Sequence, residues 1–366
     1  MEAVELLRKL VSINSVYPNE RELGEFLESY LKEIGFSVQR QKISDGRFNV
    51  LAEKGTQGKS ILFYGHMDTV PASKDWARNP FILTEEEDNL RGLGVWDMKA
   101  GLAIILKAVE DSKRNIKIAF CVDEENISEG VHKLAEGNFL NNVEYALCSE
   151  SGDTNRDHLG VRMMTLGRRG RAVYLIEVHG IAAHGGLKIG KSALLAASRI
   201  VQFLENMELR THEMLPQATQ FVRRINSEAE GLTTPERAVI ELDRHLVPPE
   251  TFESVLEELR EQLKEFEKDG IRINVSIKER KTPYINSYVT PRDNEHVRRI
   301  EKIIRERFGE VKYEYGSSVA DEGVIAGKGI PVITIGPKGG DDHSPNEWLS
   351  KKSFLETIEL YKEIIK

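Results

Sequence analysis

The residue types in this sequence that most invite chemistry are a few histidines and carboxylates, most of them placed just past short apolar runs. ILFYGHMDTVP puts His66 and Asp68 directly after the run 61–65, and open α/β sheets bind ligands at the carboxyl ends of their strands. Histidine is a common zinc ligand and a neighbouring carboxylate can orient its ring, although H-x-D alone serves a structural histidine equally well. Asp97, in RGLGVWDMKAG, stands directly ahead of a helix beginning near Met98. An isolated aspartate there is ordinarily an N-cap, whereas the glycines at 92, 94 and 101 indicate a tight turn and close packing that a cap does not require. CVDEENISEG sets Glu124 and Glu125 at the end of the run 116–122. In an extended segment their side chains would point to opposite sides, one toward a metal and the other toward a water. Glu150 in CSESGD and His343 in GGDDHSPNEWL again follow apolar runs. Each fits an ordinary solvated loop when taken singly; recurrence at the ends of four separate strand-like runs does not. Carboxylate and imidazole donors gathered in this way suit Zn²⁺, with Co²⁺ or Mn²⁺ as alternatives, and point to catalysis rather than to a structural cage.

The elements that must position these residues follow from periodicity. ILFYG (61–65), IKIAFCV (116–122) and YALCS (145–149) read as buried strands, and MKAGLAIILKAVE (98–110), apolar almost all round, reads as a helix packed on a sheet. That alternation predicts a largely parallel α/β sheet. PVITIG (331–336), a Gly-rich loop and a last helix from about Lys352 read as a return to the same domain. The middle of the chain differs. RAVYLIEVHG, a helix at about 190–208, ATQFVRRIN, RAVIELDRH, a helix at about 250–267 and IRINVSIKE run β-α-β-β-α-β, the ferredoxin-like order. The expected organisation is a discontinuous domain, 1–167 with 282–366, interrupted by an insert at 168–281.

The 366 residues are more than one ordinary core occupies, and 40% hydrophobic with 30% charged residues is a globular composition. A formal charge of −8 lacks the basic surplus of a nucleic-acid binder. MEAVELLRKLVSIN reads as an amphipathic helix rather than a secretory signal, so Met1 is the expected mature start. No run is long enough to span a membrane, and Cys121 and Cys148 read as reduced core thiols of a cytoplasmic protein.

The ordered set GHMDTVP, GLGVWDMKAG, DEEN, SESGD, GRRGR…HGIAAHGG and DDHSPNEWL resembles, over nearly the whole chain, the co-catalytic zinc family that includes acetylornithine deacetylase, succinyl-diaminopimelate desuccinylase, aminoacylase and glutamate carboxypeptidase. The resemblance implies a zinc-peptidase-like catalytic domain with an inserted ferredoxin-like dimerisation or lid domain. It implies two metal ions, with Asp97 bridging them, His66 and Glu150 on one, and Glu125 and His343 on the other. Glu124 would be the general base of amide hydrolysis, Asp68 would orient His66, and His184 would stabilise the oxyanion, often from a partner subunit. A homodimer through the insert is implied, a monomer with closing domains being the alternative.

Departures from the family pattern fall around the substrate. Trp96 stands where relatives often carry a small residue before the bridging aspartate, and would narrow the cavity. SEAEGLTTPE, Asp243-Arg244-His245 and YGSSVADEG diverge from the usual patterns. Arg169, Arg244 and His245 are candidate contacts for a substrate carboxylate. The expected substrate is a small N-acyl amino acid or peptide. The narrower alternative is N-acetyl-ornithine or N-acetyl-lysine deacetylation or succinyl-diaminopimelate desuccinylation, and the alternative of another class is a metal-holding scaffold without catalysis.

Overall fold

A computed structural model describes residues 1–55, 58–150 and 159–366. In chain order the elements are α1 (Ala3–Ser12), α2 (Arg21–Glu33), β1 (Ser37–Ser44), β2 (Arg47–Lys54), β3 (Ser60–His66), β4 (Thr84–Glu86), β5 (Asn89–Arg91), α3 (Lys99–Val109), β6 (Ile116–Cys121), α4 (Glu129–Glu136), β7 (Val143–Cys148) and β8 (Met163–Arg168). There follow β9 (Gly170–His179), α5 (Ala193–Glu205), β10 (Thr219–Ser227), β11 (Arg237–Leu246), α6 (Phe252–Leu263), β12 (Arg272–Ile277) and β13 (Tyr288–Val289). The chain closes with α7 (Glu295–Phe308), β14 (Lys312–Gly316), α8 (Glu322–Ala326), β15 (Val332–Thr334), β16 (Gly339–Gly340), β17 (Trp348–Ser350) and α9 (Lys351–Ile365). None of the described helices is long and apolar enough to cross a membrane.

The residues fall into two compact units: Met1–Gly167 with Val289–Gly316 and Ala320–Lys366, and Arg168–Tyr288 with Ser317–Val319. The second crossing thus comes at Val289, later than the KTPY flank suggests, because Tyr284 packs in the smaller unit's core and Ile285 pairs with Arg171.

In the larger unit the sheet runs β1-β2-β6-β3-β7-β15-β8-β13. Its centre, β6-β3-β7-β15, is parallel, and antiparallel strands flank it, the mainly parallel α/β arrangement expected. Every residue of β3 is buried, as a strand covered on both faces requires. α3 buries all of its residues but Lys107, which is why its sequence shows no polar stripe. β3 leads onward to β6 on one side and β7 to β8 on the other, so the chain parts between two neighbouring strands. Open α/β sheets bind ligands at strand carboxyl ends at such a point.

The smaller unit has the order β9-α5-β10-β11-α6-β12, and its sheet runs β10-β11-β9-β12, antiparallel throughout, the ferredoxin-like arrangement. Alternate residues of two strands, Ala172, Tyr174, Ile176 and Val178 with Ala238, Ile240 and Leu242, join Ile200 and Leu204 of α5 and Val255 and Leu259 of α6 in a separate core. Ser192 caps α5, and Thr251 with Ser254 forms a capping box on α6.

Candidate metal centre

Of the proposed ligands, all but Asp97 lie at or beyond the ends of four adjacent strands, and so does the proposed base Glu124. His66 ends β3, Glu124 and Glu125 follow β6, Glu150 follows β7, and His343 lies beyond β15. From Ser151 on, the SESGD motif falls outside the described residues.

Asp97 is the hub. Its Oδ1 lies 3.0 Å from His66 Nε2 and its Oδ2 lies 3.2 Å from His343 Nε2, and that same nitrogen is 3.0 Å from Glu125 Oε1. The N-cap alternative for Asp97 is thereby excluded: α3 starts at Lys99, its N-cap is Met98, and no side chain caps it. Ligand atoms of His66, Asp97 and Glu125 lie within 4.8 Å of one another, and so do those of Asp97, Asp342 and His343. Asp342 carries no signal of its own in the sequence, where it stands as one of two aspartates before the histidine.

Asp68 works differently from expectation. His66 Nδ1 lies 3.0 Å from the main-chain oxygen of Asp68 and 3.7 Å from its carboxylate. Nδ1–H donation to that carbonyl turns Nε2 toward Asp97. The carboxylate of Asp68 instead accepts the main-chain N–H groups of Glu124 (3.2 Å) and Glu125 (2.9 Å). These two glutamates lie in a turn, not in extended chain, because Asp123 before them adopts a left-handed φ of 77°. The turn is held from beneath by Arg47, which donates to Glu20 (2.9 Å) and Asp123 (3.1 Å), while Asp123 accepts the N–H of Glu129 at 2.9 Å.

The electrostatics show a cluster short of positive charge. Burial opposes ionisation of His66, yet Asp97, Glu124 and Asp68 together hold its imidazole well above the ordinary value. Hydrogen bonds to Asp97 and Glu125 push His343 up to about 11. Burial raises Asp97, but His343 and His66 outweigh it and hold the carboxyl below the usual carboxylate range. Burial pushes Glu124 well above that range, and the Asp321, Glu150 and Glu125 carboxylates add to the effect. Burial also lifts Asp68 to about 6 and Asp321 to about 7.

Several buried groups escaped the sequence reading. Asp321 accepts a hydrogen bond from Tyr64, and Glu322 accepts one from Thr334 Oγ1 at 3.0 Å. In sequence the two are only part of a polar SSVADEG stretch that did not match the family pattern. Glu347 is buried against the Asp97 loop, and burial pushes it up to about 8. Buried Lys99 donates to the carbonyl of Ile13 at 2.8 Å.

Other expected residues separate. Trp96 is 0% exposed, its indole N–H donates to Pro337 O at 2.8 Å, and a side chain on Gly339 would strike its ring. It is a core anchor, and the expectation that it narrows an open cavity is corrected. In the smaller unit Arg244 is 1% exposed and bonded to Glu250 (2.5 Å) and Gln220 (3.0 Å), which makes it a packing residue rather than an accessible cation. Arg169 donates to Ser317 O (2.7 Å), Gln217 O and Thr219 Oγ1 (both 3.0 Å). Burial and then Arg169 pull His245 down to about 4, so it stays neutral. His184 is exposed, and its Nδ1 accepts the N–H of Gly186 at 3.2 Å.

The donor set of His66, Asp97, Glu125, Asp342 and His343 fits divalent cations, with imidazole nitrogens and carboxylate oxygens gathered on a shared aspartate, whereas Glu150 groups with Cys148 and Glu322. Comparison with known proteins agrees. Succinyl-diaminopimelate desuccinylase of Sulfurovum sp. (strain NBC37-1) is 26% identical over 100% of this chain and 99% of its own length. Acetylornithine deacetylase of Klebsiella pneumoniae (strain 342) is 26% identical over 99% of this chain and 96% of its own. Among solved structures, aminopeptidase PepT from Bacillus cereus ATCC 10987 superposes with a TM-score of 0.81 at 19% identity, covering 99% of this chain and 97% of that one. The Bacillus subtilis YXEP protein, a dinuclear metal-binding peptidase, does so with a TM-score of 0.75 at 17% identity, covering 99% and 96%. The sequence model of peptidase family M20/M25/M40, a family of dinuclear metal-dependent enzymes, matches residues 62–366. That match takes in every proposed ligand, so the chain belongs to peptidase family M20/M25/M40 and is a hydrolase.

Proposed function

We propose that this chain hydrolyses the amide bond of a small N-acyl amino acid or short peptide, with two divalent ions, Zn²⁺ being the best match. His66, Asp97 and Glu150 would hold one, and Asp97, Glu125 and His343 the other. The observation that carries this reading is the division of the Asp97 carboxylate between two histidines, one oxygen each. Ions bound there supply Lewis acidity, polarising a carbonyl oxygen and lowering the pKa of water. Glu124 takes one proton from the attacking water as its oxygen bonds to the amide carbon. When the C–N bond breaks, Glu124 gives that proton to the leaving amine, so the products are an acid and an amine. Asp68 holds the N–H groups of Glu124 and Glu125 and so sets base and ligand in register. His184 is assigned to the oxyanion, and Arg169 and His245 to the substrate carboxylate. A homodimer through the smaller unit is part of the same reading.

The curated relatives named above favour N-acetylornithine and N-succinyl-diaminopimelate as first substrates, and the solved peptidases favour short peptides. The test is a panel of N-acetyl amino acids, N-succinyl-diaminopimelate and dipeptides, assayed with Zn²⁺, Co²⁺ and Mn²⁺ added separately. One class should be turned over well above the rest, and Glu124→Gln should keep both ions while losing about 10²–10⁴-fold in kcat. Inertness toward the whole panel after metal loading would remove the hydrolytic assignment, and unchanged kcat in Glu124→Gln would remove the base.

A further inference from the structure

Glu347 belongs to the loop that carries His343, but its side chain leaves that loop for another. It is 2% exposed, and its carboxylate accepts three main-chain N–H groups of the segment leading into Asp97. Oε1 takes Trp96 N at 2.8 Å and Asp97 N at 3.1 Å, and Oε2 takes Gly94 N at 2.8 Å. Converging main-chain donors form an anion nest, and only a group that accepts at both oxygens satisfies three of them. The segment has little freedom to rearrange. Gly94 has a left-handed φ of 69°, and a Cβ there would stand 2.5 Å from Thr69 Cγ2. The other end of the connection is equally fixed: directly after Glu347, Trp348 pairs with Arg91 in β5 and with Gly340 in β16. One loop thus presents His343 to Asp97 Oδ2 and also grips the backbone of Asp97 itself.

We propose that Glu347 is a positioning residue of the metal centre: by clamping Gly94, Trp96 and Asp97 it fixes the Asp97 carboxylate in its bridging orientation and keeps it in register with His343. This rests on the reading of Asp97 as the shared ligand. The role goes beyond holding the fold, because the clamp joins two loops that each deliver a ligand to the same pair of ions.

The test compares wild type with E347Q, which keeps the length but turns an amide N–H₂ toward at least one donor, and E347D, which keeps the charge on a shorter arm. Ile364→Val, in the core helix α9, is a control for simple destabilisation. Zn²⁺ stoichiometry and affinity are measured by chelator competition, the centre by visible absorption of the Co²⁺ form, and stability by thermal unfolding. We expect wild type to bind two ions, and E347Q to bind its weaker ion about 10–100-fold less tightly with an altered Co²⁺ band. Its kcat should fall by a similar factor while KM moves less than about threefold. E347D should fall between E347Q and wild type. Ile364→Val should melt earlier with wild-type affinity and spectrum. If both Glu347 variants bind two ions at wild-type affinity with an unchanged spectrum, or if Ile364→Val weakens metal as much at equal loss of stability, the clamp is refuted while the bridging reading stands. If wild type takes up fewer than two ions, the bridging reading itself falls, and the clamp with it.

Discussion

Asp68 and Asp97 share a side chain and differ entirely in what their oxygens do. Asp97 divides its carboxylate between two histidines, whereas Asp68 gives its carboxylate to two main-chain N–H groups and its carbonyl to His66. Such assignments depend on atoms, and sequence supplies only residue types. His66, Glu125 and His343 were legible because strand-end position and donor chemistry coincide. Glu347 was not, because a glutamate ahead of an aromatic residue in a polar loop looks solvated until its burial is seen. The Asp68 geometry makes a specific claim. Asp68→Asn keeps one acceptor and turns an N–H₂ toward a main-chain donor, so the Glu124–Glu125 turn is displaced while the His66 ring keeps its carbonyl partner. We expect kcat to fall about 10–100-fold, with ¹⁵N NMR still reporting the Nδ1–H tautomer of His66. A change of tautomer would mean that the carboxylate orients the ring after all.

Elements were readable where burial imposes a period. The α3 helix, apolar almost all round, the fully buried β3 and the alternating apolar residues of β9 and β11 follow directly from their sequences. Irregular backbone was not readable: the Glu124–Glu125 turn depends on the φ of Asp123, and the place of Trp96 depends on strands β16 and β17, which are distant in sequence. Close approach between elements explains Gly101. A Cβ there would lie 2.5 Å from the main-chain oxygen of Ser149, the residue before Glu150. Alanine gains up to about 1 kcal/mol in helix propensity over glycine, but an obstacle made of backbone at the end of β7 cannot swing aside. We therefore expect Gly101→Ala to lose net stability, by about 1–3 kcal/mol in urea titration, and to bind metal less tightly because Glu150 moves with Ser149. A net gain of stability would show that α3 and β7 are not in fixed contact.

At the scale of the molecule, two cores divide the work: one carries the proposed ligands and the other carries His184. Two units were legible from the change of element order, and the return point less so, since β13 adds only two residues to the large sheet. Among the described residues, eight of the twelve exposed large hydrophobics, including Leu187, Ile189, Leu195, Phe221 and Leu232, lie in the smaller unit. Apolar surface concentrated there favours association through that unit. If His184 serves the site of a partner subunit, two inactive variants must complement each other. In a dimer of one His184→Ala chain with one Glu124→Gln chain, the first chain's site keeps its own Glu124 and receives an intact His184 from its partner. The other site lacks both. Random exchange makes half of the dimers mixed, so an equimolar mixture should recover about a quarter of wild-type activity, with light scattering giving a dimer mass throughout. A monomer mass at assay concentration would exclude the dimer. A dimer that recovers no activity on subunit exchange would place His184 at the site of its own chain.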